Sequence, residues 1–180
     1  QGTAMAGLFI VEPTWLASPE CDPQHVAFAL GALQPLRQAL AERGLPLWVR
    51  VGEAVPVLAD LHTRWPFGQL WAHEEIGPRW TWDRDRAVAA WCRAQGVAFH
   101  ERPQSGVVRR LRSRFGWAAR WQKRMDAPLA VVPAVLPGER RRVFDDIGPG
   151  AGGAAATPLP TLAELGLPPA RPFNVWSEPG

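Results

Sequence analysis

Short apolar runs alternate with amphipathic segments, and this alternation constrains the fold more than any other feature of the chain. The stretch from Gln69 to Met125 contains an apolar run, a polar loop, a helical segment from near Arg84 to Gly96, and a second apolar run at Val97–His100. Apolar runs of four or five residues suit strands buried on both faces, and strands that alternate with helices form parallel sheets. The pattern therefore predicts an α/β fold.

Two earlier apolar runs extend the same pattern towards the N-terminus. Leu8–Val11 and Leu47–Val51 are predicted strands, and the segment between them carries Val and Leu at helical spacing. Asp22 followed by Pro23 is a typical helix start, because Asp caps the first amide groups and proline fits the first turn. Pro35 lies inside this helix, so a kink or a division is expected there. Four strands are predicted in the order β-α-β-α-β-α-β, near residues 8–12, 47–51, 69–73 and 97–100.

The last third of the chain has a different composition. Residues 127–180 contain 10 of the 19 prolines and a run rich in Gly and Ala at Gly148–Ala156. Such a composition buries little apolar surface, and only a short apolar segment near Leu162 and Leu165 interrupts it. We therefore predict an α/β domain over residues 1–126 and, over residues 127–180, an interdomain linker or the start of a connector to a further domain.

Basic side chains are concentrated in one segment. The formal net charge is only +3, whereas Ser105–Met125 holds seven Lys or Arg and no acidic residue. Cations interleaved with tryptophans suit phosphates and stacked bases. The alternative is an interdomain segment whose arginines pair with carboxylates of another domain, and the sequence leaves both readings open. The main candidate residues are Arg109, Arg110, Arg112, Arg114 and Trp117, and the same segment also contains Arg120, Trp121, Lys123 and Arg124.

Charged side chains also follow the predicted strands. Glu74 and Glu75 come directly after the third strand and Glu101 follows the fourth, and ligands of parallel sheets bind beyond such carboxyl ends. Gly52 and Glu53 stand between a strand and a helix, where backbone N–H groups can face an anion. The alternative is structural: the glutamates form a solvated or paired loop, and Arg84–Asp85 begins a helix whose dipole favours Asp85. The candidate cofactor-binding residues are Gly52, Glu53, Glu74, Glu75, Arg84 and Asp85.

Several classes of site and location are disfavoured. Cys21 and Cys92 fit no metal-binding spacing, and His73 and His100 are single histidines, so no metal is expected. Gly52–Glu53 is not part of a G-x-G-x-x-G or P-loop motif, so nucleotide binding there has only weak support. No run of 18 apolar residues is present, so no membrane partner is expected. Gln1–Ala6 lacks the basic start of a signal peptide, so we expect a cytoplasmic location.

Six short motifs occur in a consistent order between Gly7 and about Pro128. They are Phe9-Ile10-Val11-Glu12-Pro13, Gly44-Leu45-Pro46-Leu47, Ala72-His73-Glu74-Glu75-Ile76-Gly77, Arg84-Asp85, Gly106-Val107-Val108-Arg109-Arg110-Leu111, and Gly116-Trp117 with Trp121. No single motif is specific, but together they resemble the N-terminal α/β domain of the cryptochrome/DNA photolyase family. The resemblance implies a doubly wound, Rossmann-like parallel sheet.

The chain also departs from the family pattern. The family begins with a strand that carries a W-F-R-R-D-L-R motif, and its helical domain binds FAD; the 180 residues show neither feature. We therefore expect a fragment that lacks the first strand and the FAD-binding helical domain. The family's strand order is 3-2-1-4-5, so the strands at Phe9–Val11 and Leu70–Ala72 are expected to flank the place of the missing first strand.

The resemblance implies a light-harvesting role. The domain would hold an antenna chromophore of folate or deazaflavin type and support FAD in the helical domain of the same parent chain. The parent would be a lyase that repairs pyrimidine dimers in damaged DNA, or a blue-light signalling protein, and the fragment alone would be inactive. Trp80–Asp83 stands where the folate-binding branch often carries an Asn-Glu pair. The alternatives are a stand-alone nucleotide- or chromophore-binding module and a nucleic-acid-binding accessory protein that uses residues 105–125.

Overall fold

A computed structural model describes residues 5–103, 107–109, 111–131 and 158–171 of the 180-residue chain. In chain order the elements are β1 (Gly7–Val11), α1 (Pro13–Leu16), α2 (Pro23–Glu42), β2 (Leu47–Val51), α3 (Ala54–Arg64), β3 (Gln69–His73), α4 (Arg79–Gln95), β4 (Ala98–Arg102) and α5 (Trp117–Met125). The four predicted strands are confirmed to within two residues at each end. Across these described ranges, no helix combines the length and the apolar character needed to cross a membrane.

The strands pair in parallel. β1 pairs with β2 from Gly7–Leu47 to Val11–Val51, and β3 pairs with β4 from Gln69–Ala98 to His73–Arg102. Each pair forms a two-stranded sheet. These neighbour relations agree with the order expected for the second to fifth strands of the doubly wound fold, and they confirm the predicted α/β class.

The chain divides into two compact units. The first comprises Gln1–Glu53 with Ala134–Gly180, and the second comprises Ala54–Pro133. The boundary predicted near residue 126 rests on composition alone and stays a prediction.

Helix α2 supplies one wall of the first unit. Its start is as predicted: the Asp22 carboxylate accepts the Gln24 N–H at 2.7 Å, and Pro23 occupies the first turn. The helix then runs from Pro23 to Glu42 without interruption, so the expected division at Pro35 is wrong. Pro35 is exposed, whereas Leu33 and Arg37 on either side are buried, and this packing holds the helix together across the lost hydrogen bond.

The core of the first unit lies between β1, β2 and α2. It is built from the buried residues Val11, Val26, Leu30, Leu33, Leu47 and Val49. Four leucines from the C-terminal segment pack against this core: Leu159, Leu162, Leu165 and Leu167. These leucines lie in the region predicted as linker, and in the first unit they extend its apolar core.

A capped helical turn positions these leucines. Thr161 Oγ1 accepts the Glu164 N–H at 3.2 Å, and the Glu164 carboxylate accepts the Thr161 N–H at 2.8 Å. This reciprocal arrangement is a capping box. Gly166, with φ of 72°, ends the turn in the left-handed conformation that glycine adopts without strain.

Candidate functional site

The start of α4 determines where its charged side chains lie. The helix begins at Arg79, directly after Pro78, and the Thr81 hydroxyl donates to the Pro78 carbonyl at 2.7 Å. The expectation that Arg84–Asp85 begins the helix is therefore wrong, because Pro78 and Thr81 establish the N-terminus a turn earlier. The dipole of the first turn does not account for Asp85, which lies in the second turn.

Five charged residues of the second unit form what we call the strand-end cluster: Glu75, Arg84, Asp85, Glu101 and Arg109. Arg109 Nη1 lies 2.7 Å from Glu101 Oε1, Nη2 lies 3.3 Å from Asp85 Oδ2, and Nε donates to the Glu75 carbonyl oxygen at 2.8 Å. Arg84 Nη2 lies 3.1 Å from Glu75 Oε2 and 3.0 Å from Asp85 Oδ1. Arg109 thus ties the residues after β3, the end of β4 and helix α4 to one another.

Two indole rings flank the cluster. The Arg109 guanidinium carbon lies 4.5 Å from the centroid of the Trp82 ring, and that of Arg84 lies 5.7 Å from the Trp80 ring. Both distances allow cation–π attraction. The Arg109 and Asp85 side chains are only 18% and 17% exposed, so solvent screens their attraction weakly.

The pKa values in the cluster follow from these contacts. Burial acts to raise the pKa of Glu75, but donation from the Gly77 and Ile76 N–H groups and from Arg84 outweighs it, so the pKa lies below its ordinary value. Burial acts to lower the pKa of Arg109, whereas its contacts with Glu101 and Asp85 raise it above the ordinary value. Both groups are therefore held in their charged forms, which suits a role in positioning the strand ends.

A cleft of about 260 Å³ lies beside the cluster, and we call it the α5 cleft. Its lining consists of Glu74, Pro103, Val107, Val108, Arg109, Trp117, Arg120, Trp121 and Arg124. Arg124 donates to the Pro103 carbonyl oxygen and so attaches α5 to the residue after β4. The rings of Trp117 and Trp121 are stacked, with centroids 6.4 Å apart. The cleft thus offers aromatic faces, aliphatic walls and both signs of charge.

The predicted cofactor-binding residues fall in two groups. Glu75, Arg84 and Asp85 meet in the strand-end cluster, and Glu74 lines the α5 cleft. Gly52 and Glu53 belong to the first unit. The Gly52 N–H donates to the Val11 carbonyl at 3.1 Å. The Glu53 carboxylate accepts the Thr14 N–H and hydroxyl at 2.9 and 2.8 Å, so both groups have partners within their own unit.

The predicted basic residues are also separated. Arg109 belongs to the cluster and also lines the cleft beside Trp117, while Arg112 and Arg114 are exposed in the loop before α5. Arg110 lies outside the described residues. In the described ranges, no group of three or more His, Cys, Asp or Glu is arranged to hold a metal ion.

Sequence reasoning included the helical wall of the cleft in the basic segment 105–125, but it did not place these residues on one face of a helix. Arg120, Trp121 and Arg124 follow Trp117 at spacings of three, four and seven residues, which places all four on one face of a helix. That spacing was available as a signal.

Comparisons with known proteins bear on the family. The sequence model of the family described as DNA photolyase matches residues 1–113 of the chain. The chain belongs to the DNA photolyase family. A family relative, the deoxyribodipyrimidine photo-lyase of Synechococcus sp. (strain ATCC 27144 / PCC 6301 / SAUG 1402/1), is 29% identical over 97 residues, which cover 54% of this chain and 20% of that protein.

Two further comparisons found a sequence relative and a structural neighbour. An uncharacterized 31.6 kDa protein in the atpI 5' region of Synechococcus sp. (strain PCC 6716) is 31% identical over 96 residues, which cover 53% of this chain and 34% of that protein. The archaeal photolyase from Sulfolobus tokodaii, whose crystal structure holds two FAD molecules, superposes with a TM-score of 0.53 at 20% identity over 66% of this chain and 28% of its own. That likeness shows the fold. The chain spans a third or less of the length of the two photolyases in these comparisons.

Proposed function

We propose that this chain is the antenna-type α/β domain of a photolyase- or cryptochrome-like flavoprotein and that it binds a planar chromophore of folate or deazaflavin type. One observation carries the proposal: the residues after β3, the end of β4 and helix α4 converge on the strand-end cluster. Ligands of doubly wound sheets bind beyond the carboxyl ends of the strands. The cluster lies at such an edge.

Some charged side chains position the strand ends, and another is available to contact the ligand. Arg84 and Arg109 are held by carboxylates of the cluster, so they position the strand ends. Glu74 lies outside those pairs, and its carboxylate makes no hydrogen bond to other described residues, although its charge acts on Arg109. A carboxylate beside aromatic rings suits the ring N–H groups of a planar heterocycle. We therefore assign contact with the chromophore to Glu74.

The chemistry of the parent protein is part of the same proposal. A bound antenna chromophore supplies light absorption, and FAD in a helical domain of the parent would use that energy for dimer repair in DNA or for blue-light signalling. We place the parent in the cytoplasm. Membership of the DNA photolyase family and the FAD-containing structural relative support this proposal for the parent protein.

A binding titration tests the proposal. The purified 180-residue chain is titrated in the dark with methenyltetrahydrofolate and, separately, with a deazaflavin, and the fluorescence anisotropy of the chromophore is followed. We expect saturable binding of one of them and a loss of about 10-fold or more in affinity for Glu74→Gln, since a hydrogen bond to a charged group contributes about 1.5–3 kcal/mol.

The control is Glu20→Gln, which removes an exposed carboxylate of the first unit. Its affinity should equal that of the unmodified chain. Absence of saturable binding by both chromophores, or equal affinities for Glu74→Gln and Glu20→Gln, would contradict the proposal.

A further inference from the structure

One face of α5 is aromatic, basic and accessible. Trp117, Arg120, Trp121 and Arg124 share this face and line the α5 cleft. The two indoles are 36% and 40% exposed, so a planar group can reach a ring surface. Val107 and Val108 form an aliphatic wall of the same cleft.

The charge of the surrounding surface is strongly positive. Residues 107–131 that the structure describes include six Lys or Arg and a single acid, Asp126. Arg109 is paired in the strand-end cluster, but the Arg120 guanidinium makes no hydrogen bond or ion pair with any described residue. Arg112, Arg114 and Lys123 are exposed nearby in the sequence. This surface attracts anions, and Arg120 is available to contact one.

We propose that the α5 cleft binds single-stranded nucleic acid. One base would stack on the indoles of Trp117 and Trp121, its phosphate would meet Arg120, and neighbouring phosphates would meet the exposed cations. Aromatic platforms in a basic groove are the usual means by which proteins hold single strands. A duplex fits less well, because its base faces are already stacked inside the helix.

The size and rim of the cleft support this occupant. Its volume of about 260 Å³ is enough for one base with its sugar. Glu74 also lines the cleft, and its carboxylate would repel a phosphate but can accept hydrogen bonds from amino or imino groups of a base. The cations and the acid thus suit different parts of one nucleotide.

This inference goes beyond the proposed function, because binding requires neither light nor a chromophore. The test uses the 180-residue chain in the dark and a fluorescently labelled oligodeoxythymidylate of about 12 nucleotides, within the usual span of single-strand sites. Fluorescence anisotropy is measured between about 50 and 200 mM salt, where phosphate contacts are most evident.

We expect Trp121→Ala to weaken binding by about 10-fold or more, and Trp121→Phe to retain most of the affinity because a ring remains for stacking. Arg120→Gln should reduce the slope of log affinity against log salt by about 0.7, the value for one phosphate contact with a single strand. Arg93→Gln, which removes an exposed cation of α4, is the matched control and should leave both quantities unchanged.

Three results would overturn the proposal. The first is no binding of the oligonucleotide, or equal binding by Trp121→Ala and Trp121→Phe. The second is equally tight binding of a duplex or displacement by poly-glutamate of equal charge, because either would show charge attraction without stacking. The third is binding of free thymidine monophosphate as tight as that of the strand, because the flanking cations would then contribute nothing. Chromophore binding is also measured for Arg120→Gln, so that a failure of the nucleic-acid proposal can be told apart from a failure of the proposed function.

Discussion

Replacement of Arg109 by Gln tests whether the strand-end cluster holds the second unit together. The substitution leaves Glu101 without its cation and Asp85 with Arg84 alone. It also removes the hydrogen bond to the Glu75 carbonyl and the contact with Trp82. Hydrogen bonds to charged groups contribute about 1.5–3 kcal/mol, and removal of one partner of a buried ion pair costs about 3–5 kcal/mol. Because Arg109 is 18% exposed, we expect a loss of about 2–4 kcal/mol.

Urea unfolding followed by circular dichroism measures this loss. With a denaturant dependence of about 2 kcal/mol per molar, the midpoint should fall by about 1–2 M. The urea midpoint of Arg109→Lys should lie between those of the unmodified chain and Arg109→Gln. Lysine keeps the charge but lacks the planar guanidinium that reaches two carboxylates.

The matched control is Arg79→Gln, whose partner Asp83 lies 3.1 Å away on the surface of α4. The two side chains are 84% and 51% exposed, so this ion pair should contribute only about 0–1 kcal/mol. Equal midpoint shifts for Arg109→Gln and Arg79→Gln would refute the reasoning that the cluster ties the strand ends together.

The remaining predictions concern acid stability, the C-terminal leucines and catalysis. The folded pKa of Glu75 is lower than its ordinary value of 4.5, so its carboxylate stabilises the fold above that pH, and the contribution is lost as the pH falls through the folded pKa. Urea midpoints should therefore fall more steeply between pH 6 and pH 3 in the unmodified chain than in Glu75→Gln, and parallel curves would contradict this. Leu162→Ala should cost about 1–3 kcal/mol because Leu162 packs on the core, whereas Leu129→Ala, at a residue 96% exposed, should leave thermal unfolding unchanged. The 180-residue chain supplied with FAD, reductant and light should not repair pyrimidine dimers, and measurable turnover would show that the chemistry lies in this chain.

The strands could be predicted because their signal is local. Runs such as Phe9-Ile10-Val11 and Leu47-Trp48-Val49 are apolar throughout, and helical segments between them leave parallel pairing as the simple solution. The start of α4 was misplaced because Pro78 and Thr81 carry a weaker signal than the charged pair that follows.

Contacts between side chains that lie far apart in the sequence could not be predicted in this way. Arg109 meets Asp85 and the Glu75 carbonyl, which are 24 and 34 residues away, and only the path of the chain after β4 brings them together. The sequence did place Glu75 and Glu101 at strand ends, so it indicated the edge of the sheet but not the residue that links them.

The C-terminal leucines show a local signal that composition concealed. Thr161 and Glu164 have the spacing of a capping box and Gly166 suits the end of a helical turn, so the turn itself was predictable. The surrounding prolines and glycines indicated a linker instead. The linker boundary stays a prediction, and four leucines of this segment pack against the core of the first unit.

Nuclear magnetic resonance mapping tests the central claim, that a planar chromophore binds at the strand ends, most directly. The 180-residue chain is labelled with ¹⁵N and titrated with the chromophore that binds, and its backbone and indole N–H resonances are followed. Binding at the strand ends should shift the backbone resonances of residues 74–77 and the indole resonances of Trp80 and Trp82, while Trp15 and Trp48 of the first unit stay unchanged. Shifts confined to the first unit, or no shifts at saturating chromophore, would contradict the account.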